Sequence, residues 1–175
     1  MAKKFGFALL AQQICDHLQS EWEWMSGENQ LVGDSKIEQL LYAALSIWCE
    51  VGHAEFNKIV QVFDKENLSK QLDRPEPEYE LRPMIVWPQA TMEWGRVDFL
   101  ILAFDYRNGN WRKLVIECDG HDFHERTKEQ AARDRSKDRS AVLVGCDSFR
   151  FTGSELWRDP LGCAQQITLW AAKGL

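Results

Sequence analysis

The sequence predicts an α/β domain with a mixed β-sheet flanked by helices. From Ser35 onward, the predicted elements run helix, three strands, helix, strand, helix, an order typical of such domains. The 175 residues suffice for one domain with a sizeable core but not comfortably for two. Hydrophobic residues make up 45% and charged residues 27%, which is typical of a globular protein. We therefore assign residues 34–175 to the domain and residues 1–33 to an amino-terminal helical extension.

Two helices are predicted in the first part of the chain. Residues 8–24 carry apolar side chains at mostly helical spacing, and we assign no chemistry to them. A second helix is predicted from Ser35, because its apolar residues follow the i, i+3, i+4, i+7 spacing of a buried stripe. That stripe consists of Ile37, Leu40, Leu41, Ala44, Leu45 and Trp48.

Residues 52–80 give a mixed signal, and their charged, proline-containing end at 73–80 predicts a surface loop. Residues 81–87 form the first predicted strand. Because Pro83 interrupts it and Pro88 closes it, we expect an edge strand or the entry to a strand.

A β-hairpin is the strongest strand signal in the sequence. Residues 96–105 and 111–119 are rich in β-branched and aromatic side chains, and Asn108-Gly109 between them is typical of a two-residue hairpin turn. The elements predicted after it are a charged helix over 124–144, a strand over 148–151 and a helix over 154–173.

Three acidic residues lie at the open end of this hairpin. With Asn108 and Gly109 as the central turn residues, Asp98 would pair with Asp119, and Glu117 would lie two residues from that pair. Such positions point to one side of a sheet, so the three carboxylates should share a face. A three-residue turn would shift the register by one and split them. Clustered carboxylates need a cation or a shared proton, and their oxygens suit Mg²⁺ or Mn²⁺; the alternative is a solvated acidic face.

Charge and cysteine content narrow the class of protein. The net charge of −6 argues against a basic coat protein for DNA but not against an enzyme that meets nucleic acid over a local patch. The five cysteines include no CxxC pair, so we expect free thiols in a reducing cytosol rather than a zinc knuckle or disulfides. The longest apolar stretch, residues 99–104, is too short to span a membrane. We expect a soluble, cytoplasmic protein without membrane partners.

The segment Val97-Asp98-Phe99, followed by Val115-Ile116-Glu117-Cys118-Asp119-Gly120, resembles the signature of PD-(D/E)XK nucleases. The sequence through Phe151 is similar to the branch related to very-short-patch-repair endonucleases. In that branch, Glu-x-Asp-Gly precedes a histidine, a helix with Arg-Asp-Arg and a strand ending in Arg-Phe. The corresponding residues here are Asp119-Gly120, His121 and His124, Arg133-Asp134-Arg135, and Phe149-Arg150-Phe151. The resemblance covers residues 35–160 and implies the restriction-endonuclease-like core, α-β-β-β-α-β-α.

The resemblance also implies an activity. It suggests a metal-dependent endonuclease acting on DNA, in repair, restriction or phage defence, in which Asp98 and Glu117 hold Mg²⁺ or Mn²⁺. The backbone carbonyl of Cys118 would be a further ligand. Val97 replaces the proline of the signature, which is a common departure.

A second departure concerns Asp119, which occupies the position of the usual lysine. An aspartate cannot stabilise developing negative charge, but it could bind a second metal or act as general base. Lys128 or Arg133 on the following helix could supply the missing positive charge.

Four further residues are candidates for the site, each with a structural alternative. Glu38 matches a helix glutamate near the metal in such nucleases, and it also completes a capping box with Ser35. Gln89 matches a glutamine near the site or is a surface amide. His121 and His124 could act as general base or hold a phosphate, or they could occupy loop and helix-terminal positions.

Four basic residues are candidates for nucleic-acid contact: Lys128, Arg133, Lys137 and Arg150. The helical ones alternate with acids, which is also typical of a solvated, self-paired face. Arg150 could instead pair with an acid of the site. Two other functions remain open: a catalytically silent module that binds nucleic acid or protein, and an RNase. A protein partner or a homodimer is compatible with a chain that has no evident recognition domain.

Overall fold

The computed structural model describes residues 34–50, 58–62, 64–72, 83–120 and 128–173. The predicted helix at 8–24, the loop at 73–80, and His121 and His124 lie outside these ranges, so the structure does not test those predictions. Within the described ranges, no helix has the length and apolar character needed to cross a bilayer.

Five helices and seven strands make up the described part of the chain. The helices are α1 (Lys36–Glu50), α2 (Lys65–Leu72), α3 (Lys128–Leu143), α4 (Gly153–Arg158) and α5 (Pro160–Ala172). The strands are β1 (Lys58–Gln61), β2 (Pro83–Pro88), β3 (Thr91–Met92), β4 (Gly95–Arg96), β5 (Phe99–Asp105), β6 (Asn110–Asp119) and β7 (Cys146–Thr152).

The central sheet is mixed, as predicted. Its strand order is β1-β2-β5-β6-β7. The outer pairs, β1 with β2 and β6 with β7, are parallel, whereas the inner pairs are antiparallel. A separate two-stranded hairpin is formed by β3 and β4. The domain is therefore α/β with helices packed on a mixed sheet.

Of the two alternatives for the first predicted strand, the strand entry holds and the edge strand does not; two elements were not predicted, and the last predicted helix is divided. β2 is an interior strand, because β1 pairs along its outer side; neither β1 nor α2 was evident in the mixed signal of residues 52–80. Pro83 begins β2, where its missing N–H is tolerated. The last predicted helix is two helices, since Asp159 ends α4 and caps α5, which begins at Pro160.

The two faces of the sheet carry separate hydrophobic cores. One core joins α1 and α5 to the sheet through side chains such as Leu41, Phe99, Ile116 and Ile167, all fully buried. The other core includes Trp87, Leu100, Leu102, Val115 and Ala141. Burial of each large side chain contributes about 2 kcal/mol, so both faces hold the strands firmly in place.

The β5–β6 hairpin has a different register from the predicted one. Asp105 pairs with Asn110, and Phe99 pairs with Ile116, because the loop contains four residues, 106–109, rather than two. Gly109 adopts a φ of 65° there. The partner of each β5 residue shifts by two positions, so the residue opposite Asp98 is Glu117 rather than Asp119. A shift of two preserves the side-chain alternation, and the predicted shared face is kept.

Candidate active site

The three acidic residues lie at one end of the β5–β6 hairpin. Asp98 immediately precedes β5, and its Oδ2 accepts a hydrogen bond of 2.6 Å from the backbone N–H of Cys118. Glu117 and Asp119 occupy the last residues of β6, with side chains only 12% and 10% exposed. The structure thus brings these carboxylates together at a partly buried edge rather than on an open, solvated face.

Glu38 joins this group from the first turn of α1. Its carboxylate accepts hydrogen bonds from the backbone N–H of Asp34 at 2.8 Å and from Ser35 Oγ at 2.6 Å. Its own N–H donates to Ser35 Oγ at 3.4 Å, so it serves in capping the helix. Burial raises the pKa of Glu38; the Ser35 bond opposes this, and the charge of Asp98 adds to it. Glu38 therefore both caps α1 and faces the acidic cluster.

Gln89 connects Glu38 of α1 with Asp98, the residue before β5. Its backbone N–H donates to the carbonyl of Asp98 at 2.7 Å, and its side-chain Nε2 donates to Glu38 Oε2 at 2.5 Å. Its φ of 51° is unfavourable for a residue with a side chain, at a cost of about 1 kcal/mol. The strained backbone is held by these two bonds. Gln89 is thus a partly buried link between Glu38 and Asp98 rather than a surface amide.

Lys137 on α3 lies against Glu117. Its Nζ is 3.3 Å from Glu117 Oε1 and donates to the carbonyl of Arg96 at 3.1 Å. The sequence predicted Lys137 as a nucleic-acid contact and named Lys128 or Arg133 as sources of positive charge at the site. The side chains of those two lie outside the described residues. One sequence feature could have indicated the contact of Lys137 with Glu117. Ala141 is an apolar residue one helical turn after Lys137 in a charged helix, and in the structure it is 1% exposed, so Lys137 lies on the side of α3 that faces the sheet.

Arg150 on β7 pairs with Asp119. The guanidinium Nη1 is 2.9 Å from Asp119 Oδ1, and Nη2 is 3.1 Å from Asp138 Oδ1. The parallel register of β6 and β7 places Arg150 beside Glu117 on the same face. Of the two roles considered for this residue, pairing with an acid of the site is the one that the structure displays.

The electrostatics of the cluster favour an added positive charge. Burial raises the pKa of Asp98 to about 6; the Cys118 N–H opposes this rise, and the charge of Glu117 reinforces it. Burial also raises the pKa of Glu117, against the opposing effect of Lys137. The Cys118 thiol has its pKa raised by burial and then by the charges of Asp98, Glu38, Glu117 and Asp119. Four acids therefore act on one another, and Lys137 and Arg150 offset only part of their charge.

The donor groups of the cluster fit one kind of metal site and not another. No three or more His, Cys, Asp or Glu side chains converge at metal-binding geometry in the described ranges. Glu117 and Asp119 instead face Lys137 and Arg150. Mg²⁺, however, is commonly held by one or two carboxylates completed by water and substrate phosphates. Asp98 and Glu117 with the carbonyl of Cys118 fit that simpler kind of site.

Comparison with known proteins assigns no family. No family model and no curated protein matches the chain. The crystal structure of HopZ1a in complex with IP6 aligns with a TM-score of 0.39 and 13% sequence identity, over 94% of this chain and 59% of that chain. A TM-score at this level does not establish a shared fold.

Proposed function

We propose that this protein is a metal-dependent endonuclease of the restriction-endonuclease-like fold that hydrolyses phosphodiester bonds in DNA. The observation that carries the proposal is the acidic cluster at the end of the hairpin, with Asp98 opposite Glu117 and the ammonium of Lys137 beside them. The order α1, β2, β5, β6, α3, β7 supports it, because it matches the core that the sequence resemblance implies. The intervening elements β1, α2 and the β3–β4 hairpin are additions to that core.

Asp98 and Glu117, with the backbone carbonyl of Cys118, are the groups that would hold Mg²⁺ or Mn²⁺. A divalent cation there would supply the positive charge that polarises a phosphoryl oxygen. The pKa of Asp98, raised to about 6 first by burial and further by the charge of Glu117, supports the assignment, since a buried carboxylate beside another acid gains from a bound cation.

Lys137 takes the part that the strand lysine has in the nucleases this chain resembles. Its Nζ lies 3.3 Å from Glu117 Oε1, so it would be close enough to donate to a phosphate that a metal ion at this carboxylate would hold. It reaches the site from α3, so the aspartate at position 119 does not leave the site without an ammonium group.

Asp119 has an orienting role in this proposal. Its ion pair with Arg150, at 2.9 Å, fixes the direction of its side chain, as a group that aligns water requires. Glu38 is a positioning residue, because it acts through Gln89 on the backbone at Asp98. Arg150 holds two aspartates and is assigned to the site instead of to nucleic acid, whereas contacts by His121, His124, Lys128 and Arg133 stay predictions.

The test is a plasmid-nicking assay of the purified protein in Mg²⁺, Mn²⁺ or EDTA. We expect metal-dependent nicking that falls at least a hundredfold in Glu117→Ala and is retained in Glu66→Ala, a matched change at an exposed glutamate of α2. Undiminished cleavage by Glu117→Ala would show the assignment to be wrong. Parallel reactions on single- and double-stranded DNA and RNA separate a DNase from an RNase.

A second candidate function is nucleic-acid binding without cleavage. The observation that favours it is the pairing of Glu117 and Asp119 with Lys137 and Arg150, which offsets much of the cluster's charge without a metal. It predicts equal DNA affinity for the wild type and Asp98→Ala in EDTA, with no cleavage in either metal. Cleavage by the wild type excludes it.

A further inference from the structure

A cavity of about 380 Å³ lies on the same face of the sheet as Glu117. Trp87, Met92 and Trp94 contribute to its lining, together with Leu100 and Leu102 of β5. A volume of this size and a mostly apolar, aromatic lining are typical of pockets for small molecules. The proposed catalytic groups do not include any of these residues.

The cavity also carries polar groups suited to a negatively charged ligand. The indole Nε1 of Trp94 is buried and has no hydrogen-bond partner among the described residues. Because that atom has no accessible surface, Trp94 contributes its ring rather than its N–H to the lining of the cavity. Lys65 and Lys113 line the cavity with Glu93, so its charged side chains sum to one positive charge.

The cavity adjoins the acidic cluster along two neighbouring strands. On β5, Leu100 is two residues from Asp98; on β6, Lys113 lies four residues before Glu117, on the same face. Two residues of a strand span about 7 Å. The lining residue Leu100 therefore lies about 7 Å along β5 from Asp98, so a ligand in the cavity would lie next to the acidic cluster.

We propose that this cavity binds a nucleotide, with the base between the aromatic side chains and the phosphate at Lys65 and Lys113. Bases stack on aromatic rings through their faces, and a phosphate pairs with lysine ammonium groups. The inference rests on the proposed function for one point only: the nucleotide belongs to the strand whose neighbouring phosphate reaches Asp98 and Glu117.

The first experiment measures binding of deoxyadenosine 5′-monophosphate by calorimetry in EDTA, where cleavage plays no part. Trp94→Ala removes an aromatic face from the lining of the cavity, so we expect about tenfold weaker binding. Trp157→Ala is the matched control, because Trp157 is 64% exposed and does not line the cavity. Thermal unfolding of both variants verifies that they fold. Equal affinities of the two variants, or no binding at millimolar nucleotide, would overturn the proposal.

The second experiment tests the phosphate position. Lys113→Met should weaken binding about fivefold at low salt, and less at high salt, whereas Lys70→Met on the exposed side of α2 should leave it unchanged. Deoxyadenosine should bind at least fivefold more weakly than its monophosphate. Inorganic phosphate competing as well as the nucleotide would show that the cavity holds only an anion, and the base site would be wrong.

A third measurement identifies the source of the nucleotide and separates this inference from the nuclease assignment. A 5′-phosphorylated deoxyadenosine trinucleotide that binds at least tenfold more tightly than the mononucleotide assigns the cavity to a strand; equal affinities assign it to a free nucleotide. Metal-dependent cleavage without mononucleotide binding would overturn the proposal for the cavity and leave the nuclease proposal intact. Mononucleotide binding that depends on Trp94, in a protein that cleaves no substrate, would overturn the nuclease proposal and leave the proposal for the cavity intact.

Discussion

Two aspartates at opposite ends of β5 have opposite electrostatic environments. Asp105 accepts hydrogen bonds from the backbone N–H groups of Arg107 and Asn108 and from the Asn108 side chain, at 3.0, 3.1 and 2.8 Å. These bonds, that of the Asn108 side chain first, lower its pKa. Asp98 accepts one such bond from Cys118 and lies among other acids, and burial raises its pKa to about 6.

The difference separates a structural carboxylate from one suited to binding. Fixed donors satisfy the charge of Asp105, so it closes the hairpin loop and has little capacity for another ligand. The protein compensates the negative charge of Asp98 only in part, so a bound cation would stabilise that charge further. The same residue type therefore stabilises the fold at one end of the strand and reduces its stability at the other.

The largest expected effect is on cleavage by Asp98→Asn, which keeps the shape of the side chain and removes its charge. We expect kcat/KM with Mg²⁺ to fall about a thousandfold. Asp105→Asn should retain the wild-type rate per folded molecule, because Asp105 is the last residue of β5, at the opposite end of the strand from Asp98. Steady-state cleavage assays check both variants, and equal losses in the two would remove the distinction.

Replacing Lys137 by methionine tests whether the α3 ammonium supports cleavage. The variant keeps a similar side-chain length, and we expect kcat to fall about a hundredfold with little change in KM. Arg139→Met on the same helix is exposed and serves as the control. A Lys137→Met enzyme with wild-type kcat would leave Lys137 as a structural ion pair.

Asp105→Ala should lower the free energy of unfolding by about 2 kcal/mol, because two backbone N–H groups and an amide lose their acceptor. Urea denaturation measures the change. Asp64→Ala is a useful reference, since Asp64 caps the start of α2 through the N–H of Asn67 at 2.7 Å and should cost only about 1 kcal/mol. An Asp105→Ala protein as stable as the wild type would contradict the structural role.

The smallest effect is the dependence of stability on pH. The pKa of Asp98 rises from 3.8 in the unfolded chain to about 6 in the folded one, so folding favours the protonated form. Its contribution is therefore lost as pH rises from about 4 to above 6. Partial exposure reduces the penalty to about 1–2 kcal/mol.

Urea denaturation in EDTA at several pH values from 4 to 7 checks this prediction. Asp98→Asn should lose less stability than the wild type as pH rises across that window. Asp105 has the opposite sign, since its lowered pKa contributes stability above its unfolded value that is lost on acidification. Parallel curves for the wild type and Asp98→Asn would contradict the environment described for Asp98.

Much of the fold could be predicted from local sequence. The helix beginning after Ser35 and the hairpin strands follow from periodic apolar residues and the Asn108-Gly109 turn signal. The hairpin register could not be predicted, because the Asp105 side chain binds the loop from outside the two turn residues and lengthens it to four. β1 escaped prediction because a four-residue strand carries too little periodicity.

The candidate site was only partly predictable. The shared face of Asp98, Glu117 and Asp119 follows from side-chain alternation, which survives a register shift of two. The contact of Lys137 with Glu117 depends on the rotation of α3 against the sheet, and a helix with alternating charges specifies that rotation weakly. The left-handed backbone of Gln89 has no local sequence signal, since glutamine rarely adopts it.

The route by which Lys137 reaches Glu117 bears on how related sequences would be found. A search pattern that demands lysine two positions after the glutamate passes over this chain, although an ammonium lies 3.3 Å from that glutamate. A pattern allowing any residue there, with lysine twenty positions after the glutamate and a small apolar residue four positions later, describes the same arrangement in space. Relatives collected in this way would be expected to vary at the position of Asp119 together with that of Arg150, its ion-pair partner.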